Sequence, residues 1–273
     1  MTSAEGAPGG AAAWRGGVVG QRARCVLAPN PSPMTLEGTN TWVLAEPGAS
    51  SCVVVDPGPD DPGHLAAVRA VTDTAGLRVA LVLLTHGHPD HAEGARRFAT
   101  EAGVAVRALD PAHRLGDEGL AGGVVVAVDG LELRVVPTPG HTADSLSFLA
   151  SADGGLLTGD TVLGRGTSVV AWPDGRLADY LESLERLAAL AADGSVLRVL
   201  PGHGPVLDDP VAVLAYYRAH RQERLEQVAA AVAAGDTTPA QVVERVYADV
   251  DRSLWPAAEL SVRAQLEFLG VVV

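Results

Sequence analysis

Four candidate metal ligands lie within six positions of one another, in a segment of sequence THGHPDH that spans residues 85–91. Three are imidazoles and one is a carboxylate: His86, His88, Asp90 and His91. Imidazole and carboxylate groups together suit zinc and neighbouring metals of the first transition row. Because His86 and His88 are two positions apart, their side chains point the same way in an extended segment. The spacing therefore predicts a metal site whose ligands could be divided between two adjacent ions.

Three more candidate ligands follow apolar, strand-like segments further along the chain. Each comes directly after a glycine: His141, Asp160 and His203. Polar groups at strand ends are where layered folds usually build their sites, and glycine allows the backbone to approach closely there. A single Gly-His pair after a strand is more often a turn. Seven candidate ligands in one chain, however, favour metal binding over capping or solvation.

The elements that must position these ligands are predicted from hydrophobic patterns. The apolar segment 79–84 predicts a buried strand that ends at the histidine cluster. Helices are predicted over residues 62–74 and 92–102, and the second of them leaves Asp90 near a helix N-terminus. The strands fall into two groups, each followed by helices. This order predicts an α/β protein with two sheets packed face to face and helices outside, an αββα sandwich with a C-terminal helical appendix.

Three parts are predicted along the chain. Residues 1–20 are rich in Ala and Gly without periodicity and are expected to be disordered. Residues 21–208 contain the strands and all seven candidate ligands, and form the predicted catalytic domain. Residues 209–273 have a mainly helical pattern. This C-terminal region is expected to pack on the main domain.

Composition limits the function classes. The formal net charge of −13, with no Lys in the chain, disfavours broad attraction to nucleic acid. The use of Arg at all 20 basic positions is typical of a GC-rich bacterial genome. No apolar run reaches the roughly 18 residues that a membrane helix requires, and no secretory signal is evident, so a cytoplasmic protein is expected. Cys25 and Cys52 are expected to be buried free thiols.

The ligand pattern of THGHPDH with His141, Asp160 and His203 resembles that of the metallo-β-lactamase superfamily, and the similarity covers nearly all of residues 25–205. Three segments further resemble the β-lactamase-like protein 2 group: NPSPMTLEGTNTWVL (30–44), TGDTVLGRGTSVV (158–170) and YYRAHRQER (216–224). That group carries a small winged-helix-like region after the catalytic domain. The similarity then extends to about residue 270.

The resemblance implies two metal ions per chain, expected to be Zn²⁺, with Mn²⁺ or Fe as the other candidates. One ion would be held by His86, His88 and His141. The other would be held by Asp90, His91 and His203, with Asp160 bridging both. Asp90 is also the predicted catalytic residue, which orients the attacking water or relays its proton.

Several other residues are candidates for supporting roles. Asp56 matches a position that would orient a metal ligand, although capping of the turn at Pro57-Gly58 explains it equally well. Thr85 and Arg165 are predicted to lie beside the ligands or in the pocket. His64 and His113 are in polar segments and are expected to be surface residues.

The resemblance implies a metal-dependent hydrolase. A metal-bound hydroxide would attack the carbonyl of a thioester, ester, lactone or amide in a small-molecule substrate. The alternative is a metal-dependent endoribonuclease that cleaves single-stranded RNA, an activity known in the resembling group. The acidic charge favours the small-molecule substrate. RNA stays a possible substrate because of the Arg side chains at 218, 221 and 224. These side chains either pair with Glu223 and Glu226 or contact an anion near the pocket.

Overall fold

Two mixed β-sheets form the centre of the computed structural model, which describes residues 13–271. The first sheet contains, in order across it, β1 (Gly17–Val19), β2 (Ala23–Leu27), β3 (Asn40–Leu44), β4 (Ser51–Val55), β5 (Arg78–Leu83) and β6 (Val106–Arg107). The second contains, in order across it, β11 (Arg198–Pro201), β10 (Gly155–Gly159), β9 (Leu146–Ala150), β8 (Leu131–Pro137) and β7 (Val125–Val128). Strands β4, β5 and β6 pair in parallel, as do β10 and β11, and the other pairs are antiparallel.

Helices cover the outer face of each sheet. In chain order they are α1 (Pro62–Thr74), α2 (Pro89–Ala92), α3 (Ala95–Ala102), α4 (Leu177–Ala192), α5 (Pro210–Ala233), α6 (Pro239–Val246) and α7 (Trp255–Phe268). Helices α1 and α3 pack on the first sheet through a core that includes Leu65 and Phe98. Helices α4 and α5 pack on the second sheet through Leu184 and Tyr217. The predicted αββα sandwich is confirmed. None of the helices within residues 13–271 is both long and apolar enough to cross a membrane.

The core between the sheets arises because alternate residues on each strand point inward. Trp42 and Val55 on the first sheet and Leu133 and Phe148 on the second belong to this one cluster, and all are buried. Cys25 also lies in it, and Cys52 lies under α1. Both cysteines are free and buried, as predicted.

We expect Phe148→Ala to lower the free energy of unfolding by about 3–5 kcal/mol, because the change removes a ring from a fully packed core. Phe148 has no exposed surface, and it lies opposite Val135 and Leu157 on the neighbouring strands. The matched control is Phe268→Ala, which truncates a ring that is 46% exposed. This control should change stability by no more than about 0.5 kcal/mol. Urea unfolding of both variants tests the expectation, and equal losses would contradict this account of the core.

The N-terminal segment differs in part from the expectation of disorder over residues 1–20. Residues 1–12 lie outside the described part of the chain. Residues 17–19 form β1, which contradicts the expectation there, because they pair with β2 and Trp14 packs against the core between the sheets. The Trp14 indole Nε1–H also donates a hydrogen bond to Asn40 Oδ1 at 2.8 Å.

The helix predicted over residues 92–102 is instead two helices, α2 and α3, which meet at Gly94. The backbone N–H of Gly94 donates to the Gly58 carbonyl, and a Cβ at this position would lie 2.8 Å from the Pro59 carbonyl oxygen. This close approach explains the break. It also leaves α2 as a single turn that carries Asp90 and His91.

The C-terminal helices pack in two different ways. The first half of α5 belongs to the core of the second sheet through Val213, Leu214 and Tyr217. Its second half forms a separate cluster with α6 and α7, centred on Val228 and Val262. The predicted boundary at 208/209 coincides with the start of α5, whose cap is Asp209. Packing, by contrast, changes only midway along this helix.

Candidate metal centre

All seven predicted ligands lie together at the same end of the two sheets. They form two groups, and within each group the potential ligand atoms lie within 4.8 Å of one another. The first group is His86, His88, His141 and Asp160, and the second is Asp90, His91 and His203. The six other residues are divided as the resemblance implies, while Asp160, the expected bridging ligand, is grouped with His86, His88 and His141. That the seven residues bind metal stays a prediction.

The four candidate ligands within residues 86–91 are positioned by the path of the chain after β5. Residues 84–88 leave the sheet, and His88 has an extended backbone immediately before α2. Helix α2 then turns Asp90 and His91 back toward the cluster. The His91 carbonyl accepts a hydrogen bond from the Gly58 N–H at 3.1 Å, which fastens this turn to the loop after β4.

The remaining ligands follow β8, β10 and β11. A Cβ at Gly202 would lie 2.6 Å from Asp160 Oδ1 and 2.8 Å from His91 Cε1, so only glycine leaves room for the cluster. Gly140 has a φ of +134° and lies directly against the backbone of Tyr180. The role expected for glycine beside the ligands is therefore seen at both positions.

The Asp160 carboxylate faces both groups. Its Oδ1 lies 3.4 Å from His91 Nε2 and 3.3 Å from His203 Nε2. Its Oδ2 lies 3.7 Å from His141 Nε2. Asp90 Oδ2 lies 3.2 Å from His203 Nε2 and 3.4 Å from His91 Nε2. Imidazole nitrogens and carboxylate oxygens thus converge in one small volume.

Two atoms of this cluster test whether metal ions fit the site. His86 Nε2 and Asp160 Oδ1 are buried, and neither makes a hydrogen bond within the described residues. Buried polar atoms are costly unless they have partners, and coordination to a cation would supply one. The donor set of five imidazoles and two carboxylates suits zinc, iron or manganese. The residues fit metal binding.

Hydrogen bonds from the outer imidazole nitrogens orient several of the rings. His141 Nδ1–H donates to the Val169 carbonyl at 2.6 Å, and His203 Nδ1–H donates to the Gly38 carbonyl at 3.2 Å. These bonds leave each Nε2 facing the cluster. Bonds of this kind fix the tautomer and direction of metal-binding histidines.

Asp56 is bonded to the cluster rather than to its own turn. It accepts hydrogen bonds from the Thr85 N–H at 2.8 Å, the Thr85 hydroxyl at 2.6 Å and His91 Nδ1–H at 2.9 Å. Asp56 is buried, and its φ is +51°. Thr85 Oγ1 also lies 3.0 Å from His86 Nδ1. These contacts agree with the orienting role and not with the alternative of a simple turn cap.

Three other positions refine the predictions. His64 is buried, and its Nε2 lies 2.8 Å from Thr41 Oγ1, so the expected surface location is wrong. Its ring fills the space beside Gly58 at the start of α1. Arg165 lines the cavity beside Asp160, but its guanidinium is exposed and pairs with Glu37. Thr39 is compatible in sequence with the rim of the site or with strand-end hydrogen bonding, and its hydroxyl donates to Asp90 Oδ2 at 3.1 Å. A threonine near a strand carries no sequence signal for this contact with a candidate ligand.

The charges in the cluster shift the pKa values of its members in opposite directions. Burial disfavours the charged form of each group. In His203 burial is outweighed by Asp160 and Asp90, which raise the pKa to about 9. In Asp90 burial is outweighed by His91 and His203, which lower the pKa to about 2. Burial prevails in His141 and lowers its pKa to about 4.

We expect chelator-treated protein to lose stability as the pH rises from about 7 through about 9. The pKa of His203 is about 9 in the folded protein, above its ordinary value of 6.5. The stabilising proton is therefore fully bound below pH 6.5 and is lost above about pH 9. Thermal unfolding across this range measures the effect.

The same proton must leave when His203 binds a cation. Metal binding at pH 7.5 should therefore release protons, which calorimetry in two buffers of different ionisation enthalpy detects. Binding without proton release would contradict the raised pKa of His203.

A cavity of about 430 Å³ opens beside the cluster. His141 and Asp160 line its inner end, and the loop of residues 163–169 lines one side. Side chains of α5 and α7, together with residues 247–254 between α6 and α7, form another part of the wall. The candidate metal centre is therefore accessible from a pocket that both regions of the chain build.

Comparisons with known proteins agree with this architecture. A family model described as the metallo-beta-lactamase superfamily matches residues 34–203, and one described as the beta-lactamase associated winged helix domain matches residues 238–269. The first region contains all seven candidate ligands, and the second contains α6 and α7.

Individual relatives match most of the chain. A beta-lactamase-like protein 2 homolog from Caenorhabditis elegans is 33% identical over 260 residues, which are 90% of this chain and 84% of that protein. Its namesake from Drosophila melanogaster is 32% identical over 264 residues, 89% of this chain and 86% of that protein. A crystal structure of a beta-lactamase domain protein from Burkholderia ambifaria has a TM-score of 0.78 at 26% identity, and covers 94% of this chain and 89% of that one. Since relatives include animal proteins, a bacterial origin stays a prediction from composition.

Proposed function

Because the chain belongs to the metallo-beta-lactamase superfamily, whose members are generally hydrolases, we propose that it is a dinuclear metal-dependent hydrolase of small-molecule thioesters, esters, lactones or amides. His86, His88 and His141 would hold one ion, and Asp90, His91 and His203 the other. Asp160 would bridge them. Zinc is the expected metal, because imidazole and carboxylate ligands suit it.

The observation that carries this proposal is the position of Asp160. Its two oxygens face different groups of imidazoles, as the distances from Oδ1 to His203 and from Oδ2 to His141 show. A carboxylate in this position can bind two cations at once. A single ion would leave one of the two groups of ligands unused, and an ion in the second group alone would leave the buried His86 Nε2 without a partner. Two metals when bound supply Lewis acidity and lower the pKa of water to about 7.

Asp90 is the residue of this chain that we propose to orient the attacking water. Its Oδ2 is engaged by Thr39 and by the two histidines of its group, whereas Oδ1 makes none of these contacts. Its side chain is 28% exposed, so a water molecule can reach it. With both metals bound, Asp90 would be a metal ligand, and a carboxylate whose charge is held by a nearby cation is a poor proton acceptor at neutral pH. Orientation of water is therefore the role that its chemistry favours over proton relay.

Two observations favour a small molecule over RNA. The cavity volume of about 430 Å³ lies in the range of small-molecule sites. The net charge of −13 opposes the electrostatic attraction that RNA binding relies on. Endoribonuclease activity would use the same metal centre, however. It stays the second candidate function, because the chain also matches the winged helix domain model.

A hydrolysis panel on metal-loaded protein tests the proposal. The panel compares an acyl thioester, a lactone and single-stranded RNA, each over a range of salt concentrations. We expect turnover of the thioester or lactone that depends little on salt. RNA cleavage that collapses as salt rises, without turnover of the carbonyl substrates, would replace the proposal with the endoribonuclease alternative. No turnover of any substrate by protein with two bound metals would contradict both.

A further inference from the structure

The part of the cavity wall that α5 provides contains two guanidinium groups that the candidate metal centre does not use. Arg221 and Arg224 lie on α5, one turn apart, and both line the cavity that contains Asp160 and His141. Arg221 is only 6% exposed. Burial of a cation is costly unless an opposite charge or several hydrogen bonds compensate it. A buried guanidinium such as that of Arg221 therefore requires a compensating partner.

Neither guanidinium has a carboxylate partner within residues 13–271. Arg218, on the same helix, pairs with Glu185, but neither Arg221 nor Arg224 takes part in a salt bridge. Glu223 and Glu226, which could have paired with them, instead accept hydrogen bonds from Gln227 and Gln222. The pairing with glutamates that the sequence left open is absent here.

Both groups keep donors for which residues 13–271 supply no acceptor. Arg221 donates through Nη2 to the Ser168 carbonyl, while its buried Nε makes no hydrogen bond among the described residues. Arg224 donates through Nη1 to Gln227 Oε1 at 2.8 Å and to the Val246 carbonyl at 2.9 Å. An arginine carries five N–H donors, so the Nε and Nη2 donors of Arg224 remain for a ligand. The Tyr180 ring lies against the guanidinium of Arg221, and the Tyr247 ring lies against that of Arg224. Both rings hold the guanidinium groups in place.

His220 adds a neutral imidazole to the same wall. Burial, followed by the charges of Arg221 and Arg224, lowers its pKa to about 4, and its buried Nδ1 makes no hydrogen bond within the described residues. The surface around these groups is apolar and includes Val250, Leu254 and Ala258. The wall thus offers positive charge and unused donors beside a strip that suits a hydrocarbon group.

We propose that Arg221, Arg224 and His220 form a subsite for the anionic group of a small-molecule substrate, a carboxylate or a phosphate monoester, whose apolar part lies along Val250, Leu254 and Ala258. This inference rests on the proposed function, because the bond to be hydrolysed would then lie at the Asp160 end of the same cavity. Arginine forks bind carboxylate and phosphate oxygens through paired, charge-assisted hydrogen bonds. The substrate class is therefore an anionic, partly apolar carbonyl compound.

The test is a binding measurement on the full chain that requires no turnover. Hexanoate and hexyl phosphate serve as anionic probes, and hexanamide is the neutral counterpart of the same length. Calorimetry is run on metal-loaded and on chelator-treated protein, so that binding to the metals is separated from binding to the subsite. We expect both anions to bind chelator-treated protein, and Arg224→Gln to weaken them by about tenfold or more. Hexanamide should bind the variant and the parent protein equally.

Matched variants keep the result interpretable. Arg218→Gln removes a cation from the same helix that is paired outside the cavity, and should leave anion binding unchanged. Arg224→Lys keeps the charge and should retain part of the affinity. The preference between carboxylate and phosphate identifies which anion the subsite favours.

Equal affinity of hexanoate for the parent protein, Arg224→Gln and Arg218→Gln would overturn the proposal. An effect of Arg224→Gln on a single-stranded RNA oligonucleotide but not on the small anions would also overturn it, and would assign the wall to a nucleic-acid backbone. Anion binding that depends on Arg224 in a protein without hydrolytic activity would leave the subsite standing and contradict the proposed function alone.

Discussion

Asp160→Ala is expected to remove most of the hydrolytic activity and at least one of the two metal ions. The substitution deletes the carboxylate that faces both imidazole groups. Loss of a group that merely orients a metal ligand costs about 10–100-fold in metal affinity, so loss of a bridging ligand should cost at least about 100-fold. Since metal ions contribute several kcal/mol to catalysis, and each 1.4 kcal/mol is a factor of ten, turnover should fall by roughly 1000-fold. Metal analysis after gel filtration and steady-state kinetics measure the two effects.

Two variants show whether the bridge or the charge matters. Asp160→Asn keeps the shape but leaves a single carbonyl oxygen, and it should lose nearly as much activity as the alanine variant. Asp153→Ala is the control, because its carboxylate lies in the turn before β10 and its ion-pair partner is Arg22, at 3.9 Å. It should keep both metals. Two bound metals and unchanged turnover in Asp160→Ala would show that the dinuclear proposal is wrong.

Asp56→Ala is expected to reduce both stability and metal affinity. The change leaves three buried donors without an acceptor: the Thr85 N–H, the Thr85 hydroxyl and His91 Nδ1–H. Each unsatisfied buried donor costs about 1–3 kcal/mol, so the free energy of unfolding should fall by roughly 3 kcal/mol or more. Because His91 also loses the group that orients its ring, metal affinity should fall by about 10–100-fold. Urea unfolding and competition with a chromogenic chelator measure these losses.

Asp129→Ala is a close control for this variant. Asp129 also has a positive φ, of +46°, and its carboxylate accepts hydrogen bonds from two backbone N–H groups, those of Ser50 and Ser51. It is exposed in the turn between β7 and β8, at the opposite end of β8 from His141, and its replacement should leave metal affinity unchanged. If Asp56 were only a turn cap, its alanine variant would resemble this control, with lower stability and unaltered metal binding.

The sequence predicted the fold class and the seven candidate ligands because both are recorded in local patterns. Apolar segments of strand length alternate with helical periodicity, and three imidazoles fall within residues 86–91. Helix α1 begins and ends where the pattern predicted. The predictions that failed depend on contacts made by distant segments. His64 is buried by the contact with Thr41, and residues 17–19 became a strand because β2 lies beside them.

The roles of Asp56 and Arg221 show where a linear pattern stops being informative. An aspartate before Pro57-Gly58 is compatible with a turn cap or a ligand-orienting group, and only the position of His91, 35 residues later, distinguishes them. An arginine among glutamates on a helix predicts surface pairing. The packing of α5 against Tyr180 and Ser168 turned Arg221 inward instead.

The sequence by itself determined which atoms can bind metal and at which strand ends they occur, since residue type and strand periodicity are local properties. Only the tertiary structure decided that the oxygens of Asp160 face two separate groups of histidines, because that arrangement depends on how closely the two sheets pack. The same holds for the cavity wall, which joins α5 to residues of the distant metal centre. The ligand types of the candidate metal centre are therefore set by local sequence. The choice of substrate is set where separate elements meet.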